Sequence, residues 1–324
     1  MNALWEVLGG MILYAVPLLL VALGGMFSER GGVINIALEG IMVIGSLFSC
    51  LLLRSLHQTW GPQYPQMAVL LATLVAGLSG AVFSLFLAFA SINLRADQTI
   101  GGTALNMLAP AFAIMLTWSI QGQGQTTILI PTWVRMTAAF DPQNAGPLQI
   151  IFLKNFLLTT PIAVLLLAVS TVLLYKTRFG LRLRACGEHP QAADSVGVSV
   201  YKMRYAGVLL SGFLGGIGGF AFTTAAGAGF QSTVAGYGFL ALAVMIFGNW
   251  QPIRILGAAL FFALFKVIGS SSNLPFLPTF PNIKNSHYIY QMLPYIVTMI
   301  VLVFTSKKSR APKAEGIPYD KGTR

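Results

Sequence analysis

One carboxylate, Glu39, lies several residues into an apolar stretch, where a charged side chain is unfavourable unless it has a partner. It belongs to the run INIALEGIM, and Asn35 precedes it by four positions, which would put both side chains on one face of a helix. A carboxylate near the middle of a bilayer costs about 2.5–3.5 kcal/mol on insertion scales, so it should face a partner or a water-filled path. Two interpretations stay open. Glu39 and Asn35 line or gate a path, or Glu39 sits near an interface or in a structural pair with Asn35 or a basic residue.

The glycine pair before this run permits a break in the helix. Gly31 and Gly32 are adjacent, and backbone groups exposed by such a break would line a cavity. Other polar groups that would suit such a path are Asn106, Thr103 one turn before it, and Tyr237, which follows the small and polar run GAGFQSTVAG at 227–236. Such groups can hydrogen-bond a sugar or a base. The alternative is ordinary bonding between helices, which averages about 0.6 kcal/mol per pair.

The run SGFLGGIGG at 211–219 contains glycines at the small-xxx-small spacing. The pairs are Gly212 with Gly216 and Gly215 with Gly219. This spacing lets two helix backbones approach closely, so it predicts tight helix packing, with a partner subunit as one candidate surface.

The longest strongly basic loop, at about 176–205, reads KTRFGLRLRACGEHPQAADSVGVSVYKMRY. Its centre predicts a short helix over 188–197, because Pro190 after His189 suits an early helical position, Ala192 and Ala193 follow, and Gly197 suits a C-terminal stop. Glu188 and Asp194 interrupt the positive charge. A short helix of this kind is a docking element for a soluble partner, and the alternative is a solvated loop.

The elements that position these residues are membrane helices. Of the 324 residues, 56% are hydrophobic and only 9% are charged, against about 25% charged in a typical soluble domain. Six windows contain no Asp, Glu, Lys or Arg: 7–28, 55–94, 98–134, 155–175, 205–253 and 285–306. Because about 20 apolar residues cross a bilayer, the sequence predicts an all-α, polytopic integral membrane protein with about 9–10 transmembrane helices. Nine apolar segments are expected, at roughly 4–26, 33–55, 67–92, 100–120, 155–175, 205–225, 237–249, 255–272 and 288–305.

The basic residues set the topology. Twelve of the 20 fall either in the 176–204 loop or in the tail after residue 306, and both regions are expected to be cytoplasmic. Counting backward places 27–32 and 93–99 inside, 56–66, 121–154 and 273–287 outside, and the N-terminus outside. Residues 1–306 form the membrane domain, and 307–324 form a basic cytoplasmic tail.

Several function classes are disfavoured by what the sequence lacks. It has no G-x-x-x-x-G-K-[ST] loop for ATP. Its three histidines are far apart, and its two cysteines have no ligand spacing, so we expect no catalytic residue, no metal site and no cofactor bound by this chain. The net charge of +11 reflects topology and not a nucleic-acid surface, because no basic globular domain is present.

Five segments, in order, carry a resemblance to a known family. The segments are FSERGGVINIALEGIMVIGS, RADQTIGGTALNMLA, GEHPQAADSVGVSVYKMRYAGVLLSGFLGG, GFLALAVMIFGNWQPIRILGAALFFALF and the tail APKAEGIPYDKGTR. Together they resemble ABC importer permeases of the ribose, nucleoside and branched-chain amino acid superfamily. The chain is most similar to the shorter of the two paired permeases of nucleoside uptake systems.

The resemblance implies a fold and a set of partners. It implies a translocation path shared with a second, homologous permease, as a heterodimer in the bacterial inner membrane, in contact with lipid. It also implies a cytoplasmic ATPase that docks on the 188–197 helix and uses ATP, and an extracytoplasmic substrate-binding lipoprotein. Alternatives for the cargo are a sugar, riboflavin or a branched-chain amino acid. The alternative from another class is a stand-alone secondary transporter, which is disfavoured because only Glu39 is a clear intramembrane ionisable residue.

Overall fold

The computed structural model describes residues 2–135, 149, 157–227, 229–270, 292–305 and 310–321. Regular structure in these ranges is helical, apart from one isolated antiparallel bridge between Ile128 and Phe230. The α-helices, in chain order, are α1 Asn2–Arg30, α2 Leu38–His57, α3 Pro65–Ala88, α4 Gln98–Gln121, α5 Thr159–Lys176, α6 Arg178–Glu188, α7 Pro190–Ser195, α8 Val200–Ala226, α9 Tyr237–Phe247, α10 Pro252–Ser270 and α11 Leu293–Thr305.

The predicted fold class is confirmed. Among the described residues, seven helices are long and apolar enough to cross a membrane, namely α1, α2, α3 with its π-helical extension to Asn93, α4, α5, α8 and α10. Two apolar helices are shorter, α9 with 11 residues and α11 with 13. Each of the nine predicted apolar segments therefore contains a helix, although α9 is too short to span a bilayer by itself.

Helices α1 and α8 form the centre of the bundle. In each of them 72% of the apolar window is buried, against 22% in α4, which lies at the edge. Helix α8 packs against α1, α2 and α3, so it fixes the positions of the elements that carry the polar residues.

Close packing of α8 depends on its glycines. The four glycines singled out by their spacing are buried inside this chain and not at a surface for a partner subunit. A Cβ atom on any of them would meet α2 or α3: Gly212 meets Ser84, Gly215 meets Ile41 at 3.0 Å, Gly216 meets the Ala76 carbonyl, and Gly219 meets the Met42 carbonyl. The helix backbones are in direct contact at these points.

The predicted break after α1 is present. Gly32 has φ of +88°, a backbone conformation that residues other than glycine rarely adopt, and α1 ends just before it. Residues 33–35 are not helical, and α2 begins only at Leu38. The prediction that Asn35 shares a helix face with Glu39 is therefore wrong, because the break extends past Asn35.

The loops assigned to the cytoplasm lie together at one end of the bundle. There Arg30 faces Glu188 at 3.9 Å, and Arg95 forms two hydrogen bonds with Asp320 of the tail. At the other end, Trp133 donates to His57, and Arg135 donates to the carbonyl of Thr224. The loops assigned to the inside and those assigned to the outside thus lie at opposite ends of the bundle, as the predicted topology requires. Helix α1, with 29 residues, is about 43 Å long, so it places Asn2 at the end opposite Arg30.

We predict that Gly216→Ala destabilises the protein by about 1–3 kcal/mol, because a methyl group would be forced into the α3 backbone. Thermal unfolding of the purified protein in detergent measures this loss. Gly257→Ala is the matched control. It lies in α10 with no atom within 4 Å of its Cβ position, and there alanine is expected to be neutral or mildly stabilising. Equal melting temperatures for the two variants would contradict the close contact of α8 with α3.

Candidate substrate path and coupling loop

The break before α2 leaves backbone groups that α4 satisfies with two side chains. The Gln98 amide oxygen accepts from the backbone N–H of Ile34 at 2.7 Å. The Asn106 amide donates to the carbonyl of Ile36 at 2.9 Å and accepts from the N–H of Gly40 at 2.8 Å. Asn106 therefore bridges both sides of the turn into α2. These bonds matter because lipid offers no alternative partner for the backbone.

Glu39 holds the start of α9. Its two carboxylate oxygens accept from the backbone N–H groups of Gly236 at 2.8 Å and Gly238 at 2.7 Å. These N–H groups are among those at a helix N-terminus that have no partner in the helix, and the helix dipole favours a negative charge there. The approach is close, since a Cβ on Gly238 would lie 2.5 Å from the Glu39 nitrogen. The partner of Glu39 is thus a helix end, and neither Asn35 nor a basic residue pairs with its carboxylate among the hydrogen bonds of the described residues.

The segment leading into α9 has an unusual backbone. Ser232, Ala235 and Gly236 all have positive φ, at 57°, 51° and 78°. The Tyr295 hydroxyl of α11 donates to the carbonyl of Ala235 at 3.0 Å. Residues 229–236 and α9 therefore form a second broken element, which meets the first one at Glu39.

Tyr237 and Lys266 form a second polar pair beside this junction. Tyr237 is buried, with its ring 4.5 Å from that of Phe222 and 5.3 Å from the Lys266 ammonium. The Tyr237 hydroxyl has no hydrogen-bond partner among the described atoms. Sequence reasoning missed Lys266, although a single lysine within FFALFKVIGS, inside an apolar segment, is the same signal that singled out Glu39.

The remaining two predicted path residues lie elsewhere. Asn35 is fully buried, and its amide donates to the Ser211 hydroxyl at 2.8 Å. Its side-chain oxygen has no partner in the described part of the chain. Thr103 is exposed on α4, and its hydroxyl donates to the Thr99 carbonyl in the same helix. The structure thus brings Glu39, Asn106 and Tyr237 together around the starts of α2 and α9, and leaves Thr103 apart.

The basic loop folds as two helices and not as one short helix. The predicted helix over 188–197 is α7, Pro190–Ser195, and Glu188 instead ends α6. His189 separates the two with φ of −144° and ψ of 84°, since the residue before a proline avoids the α conformation. Pro190 occupies the first turn of α7, and Gly197, with φ of +82°, follows it.

Helix α7 has one buried and one exposed side. Ala193 is packed in a small cluster with Cys186, Val200 and Tyr319. Ala192 is exposed, and Val196 is 77% exposed. Burial raises the pKa of the Cys186 thiol to about 11, so this thiol stays protonated and poorly reactive at neutral pH.

The tail at 310–321 packs on this loop. The Ala314 N–H donates to the Gly187 carbonyl at 2.8 Å, and Arg204 donates to the Ile317 carbonyl at 3.0 Å. The Tyr319 ring stands edge-on to Tyr201 at 5.7 Å. Burial raises the pKa of the Glu315 carboxyl. The tail is thus a structural part of the cytoplasmic face.

A family comparison decides what kind of protein carries this arrangement. The model of the family described as "Branched-chain amino acid transport system / permease component" matches residues 7–304. The chain belongs to this permease family. It is a membrane transport subunit and not an enzyme, and it is a multi-pass protein of the cytoplasmic membrane.

Individual relatives of the permease cover nearly its whole length. It is 43% identical to the guanosine ABC transporter permease protein NupQ of Bacillus subtilis, over 97% of this chain and 96% of the relative. It is 40% identical to the nucleoside ABC transporter permease protein NupC of Lactococcus lactis, over 99% and 98%. A second Lactococcus protein, the nucleoside ABC transporter permease protein NupB, is 25% identical over 95% of this chain and 82% of the relative. No solved structure matches the permease.

We predict that Glu39→Ala destabilises the permease more than Glu39→Gln does. Alanine leaves two N–H groups at the start of α9 without an acceptor, at about 1–3 kcal/mol each, whereas glutamine keeps one acceptor oxygen. Thermal unfolding in detergent gives the order. Thr103→Ala, which removes an exposed hydroxyl, serves as the control and is expected to change little. Unchanged stability of Glu39→Ala would contradict the capping role.

Proposed function

We propose that this permease is a subunit of an ATP-binding cassette importer that carries nucleosides from outside to inside across the bacterial inner membrane. The observation that carries the proposal is the 43% identity over 97% of the chain to a permease named for guanosine. The polar groups at the starts of α2 and α9 support it, because amide, hydroxyl and backbone N–H groups there can hydrogen-bond a polar cargo inside the membrane.

The proposed path passes the junction of the two broken elements. Glu39, Asn106 and Tyr237 lie there, and we propose that these three residues line or gate the path. Asn35, which is fully buried, and Thr103, which is exposed on α4, lie outside the junction. Both elements begin their helices in the interior, where a small rearrangement of side chains would free N–H groups for a substrate. Transporters of other folds also use helix ends within the membrane as binding points.

The cargo class follows from charge. The Glu39 carboxylate accepts hydrogen bonds from two backbone N–H groups, and the Lys266 ammonium lies over an aromatic ring, so neither group is free to pair with a charged ligand. Among the described residues, the junction contains no guanidinium fork, which is the usual device for binding phosphate or carboxylate. A neutral ligand with hydroxyl groups and a stackable base fits this setting better than a nucleotide or an organic acid does.

The proposed partners supply what this chain does not contain. ATP is bound and hydrolysed by a cytoplasmic ATPase, which docks on the loop residues Glu188, His189, Pro190, Ala192, Ala193, Asp194 and Gly197. A second, homologous permease completes the path. The existence of two nucleoside permeases in Lactococcus that both resemble this chain supports such a pair. An extracytoplasmic lipoprotein delivers the cargo.

We expect cells that carry the full set of subunits to accumulate labelled guanosine, adenosine or uridine, and deletion of this permease to stop that uptake. The measurement is uptake of each labelled nucleoside with and without the gene. If the cells instead take up free ribose, riboflavin or leucine in a way that depends on this chain, and take up no nucleoside, the proposed cargo is wrong but the proposed transport role stands. Uptake that persists without any ATPase subunit would favour a secondary transporter.

We predict that the double variant Ala192→Arg, Val196→Asp loses the ATPase on purification and loses transport, while its melting temperature stays close to that of the wild type. Both side chains are exposed, and such surface changes alter stability by about 0.5 kcal/mol or less. Gln58→Arg, at the opposite end of the bundle, is the control and should retain the ATPase. A double variant that still binds the ATPase with wild-type affinity would show that docking occurs elsewhere.

A further inference from the structure

Arg30, the last residue of α1, touches two elements that carry different parts of the proposed function. Its guanidinium donates to the Trp250 carbonyl, from Nη2 at 3.1 Å and from Nε at 3.4 Å. Its Nη1 lies 3.9 Å from Oε1 of Glu188, at the end of α6 in the coupling loop. One side chain therefore links the ATPase-facing loop to the turn that follows α9.

The backbone makes a second contact at the same place. Gly187 lies so close to the Arg30 carbonyl that a Cβ atom would collide with it. The Gly187 carbonyl in turn accepts from Ala314 of the tail. The coupling loop is thus seated on the end of α1, and a shift of the loop must displace this residue.

Helix α9 is built as a rigid piece between two bends. Ala235 and Gly236 before it have φ of 51° and 78°, and Asn249 and Trp250 after it have φ of 52° and 53°. Residues other than glycine rarely adopt this conformation, so both bends are held by the surrounding contacts. With 11 residues, α9 is about 16 Å long.

Both ends of this piece are held by side chains from α1 and α2. Glu39 accepts from its first N–H groups, whereas Glu29 accepts from the Trp250 indole at 2.6 Å and Arg30 donates to the Trp250 carbonyl. Glu39 belongs to the proposed path, and Arg30 belongs to the cytoplasmic face. Helix α9 therefore spans the distance between the two.

We propose that Arg30 is a positioning residue that transmits movement of the coupling loop to α9, and through α9 to Glu39 in the path. This inference rests on the proposed function. The Arg30–Glu188 pair is partly exposed, with 16% and 42% of the side chains accessible, and such pairs contribute little to stability. A weak contact of this kind can open and close in each transport cycle, whereas the bonds from Arg30 to Trp250 keep α9 attached.

The test uses the complete transporter, with both permeases, the ATPase and the binding protein, reconstituted in liposomes. ATP hydrolysis and uptake of labelled guanosine are measured together, and the readout is nucleoside imported per ATP hydrolysed. For Arg30→Gln we expect hydrolysis to continue and the ratio to fall roughly tenfold, the effect of losing charge-assisted hydrogen bonds. A residue that merely held the fold would lower both rates in parallel.

Three further variants complete the test. Glu188→Gln is expected to lower the ratio less, and the double variant Arg30→Gln, Glu188→Gln is expected to match Arg30→Gln alone, because both changes interrupt one linkage. Arg182→Gln, on the exposed side of α6, is the control and should leave the ratio unchanged.

An unchanged ratio in Arg30→Gln, or a parallel loss of both rates, would overturn the proposal. If Arg30→Gln does not fold, Glu188→Gln decides in the same way, because a lowered ratio supports the linkage and an unchanged ratio refutes it. Failure of the proposed function is seen separately, as a wild-type complex that hydrolyses ATP and imports no nucleoside.

Discussion

The structure depends on satisfying backbone hydrogen bonds where helices break inside a membrane. Two elements are interrupted, at residues 31–37 and at 229–236, and lipid can bond neither of them. Three side chains supply the missing partners. Gln98 and Asn106 bond the first break, and Glu39, carried by α2 just after that break, bonds the start of α9. The two breaks therefore stabilise each other, and neither could be replaced by an ordinary helix without losing the other.

Much of the fold could be predicted from charge placement alone. Charged residues are unfavourable in a bilayer, so the stretches that lack them mark the membrane helices. Each of the nine predicted apolar segments contains a helix. The extent of the first break could not be predicted in this way. An apolar composition does not distinguish a helix from an extended segment. The sequence therefore places Asn35 in the same helix as Glu39, although α2 begins only at Leu38. The short α9 shows the same limit, because only its contacts reveal that it starts in the interior.

The sequence identifies which residues of the site are unusual, but it does not identify the groups that they bond. A lone carboxylate in an apolar run, such as Glu39, requires a hydrogen-bonding or charged partner. Its compensation comes from backbone N–H groups nearly two hundred residues later in the chain, and backbone groups carry no signal in a sequence. Lys266 carried the same signal as Glu39 and was missed. Glu188 was assigned to the wrong helix, since the bend at His189 depends on Pro190 and not on hydrophobic period.

The packing of the tail has a consequence for biogenesis. The coupling loop, at 176–205, leaves the ribosome well before the tail, yet Gly187, Tyr201 and Arg204 are completed by Ala314, Tyr319 and Ile317. During synthesis the loop therefore remains without these contacts until translation has nearly finished. A nascent chain already threaded into the membrane would not yet present a finished cytoplasmic surface. A chain that ended before residue 314 would lack all of these contacts, and its loop would stay without the cover that the tail provides.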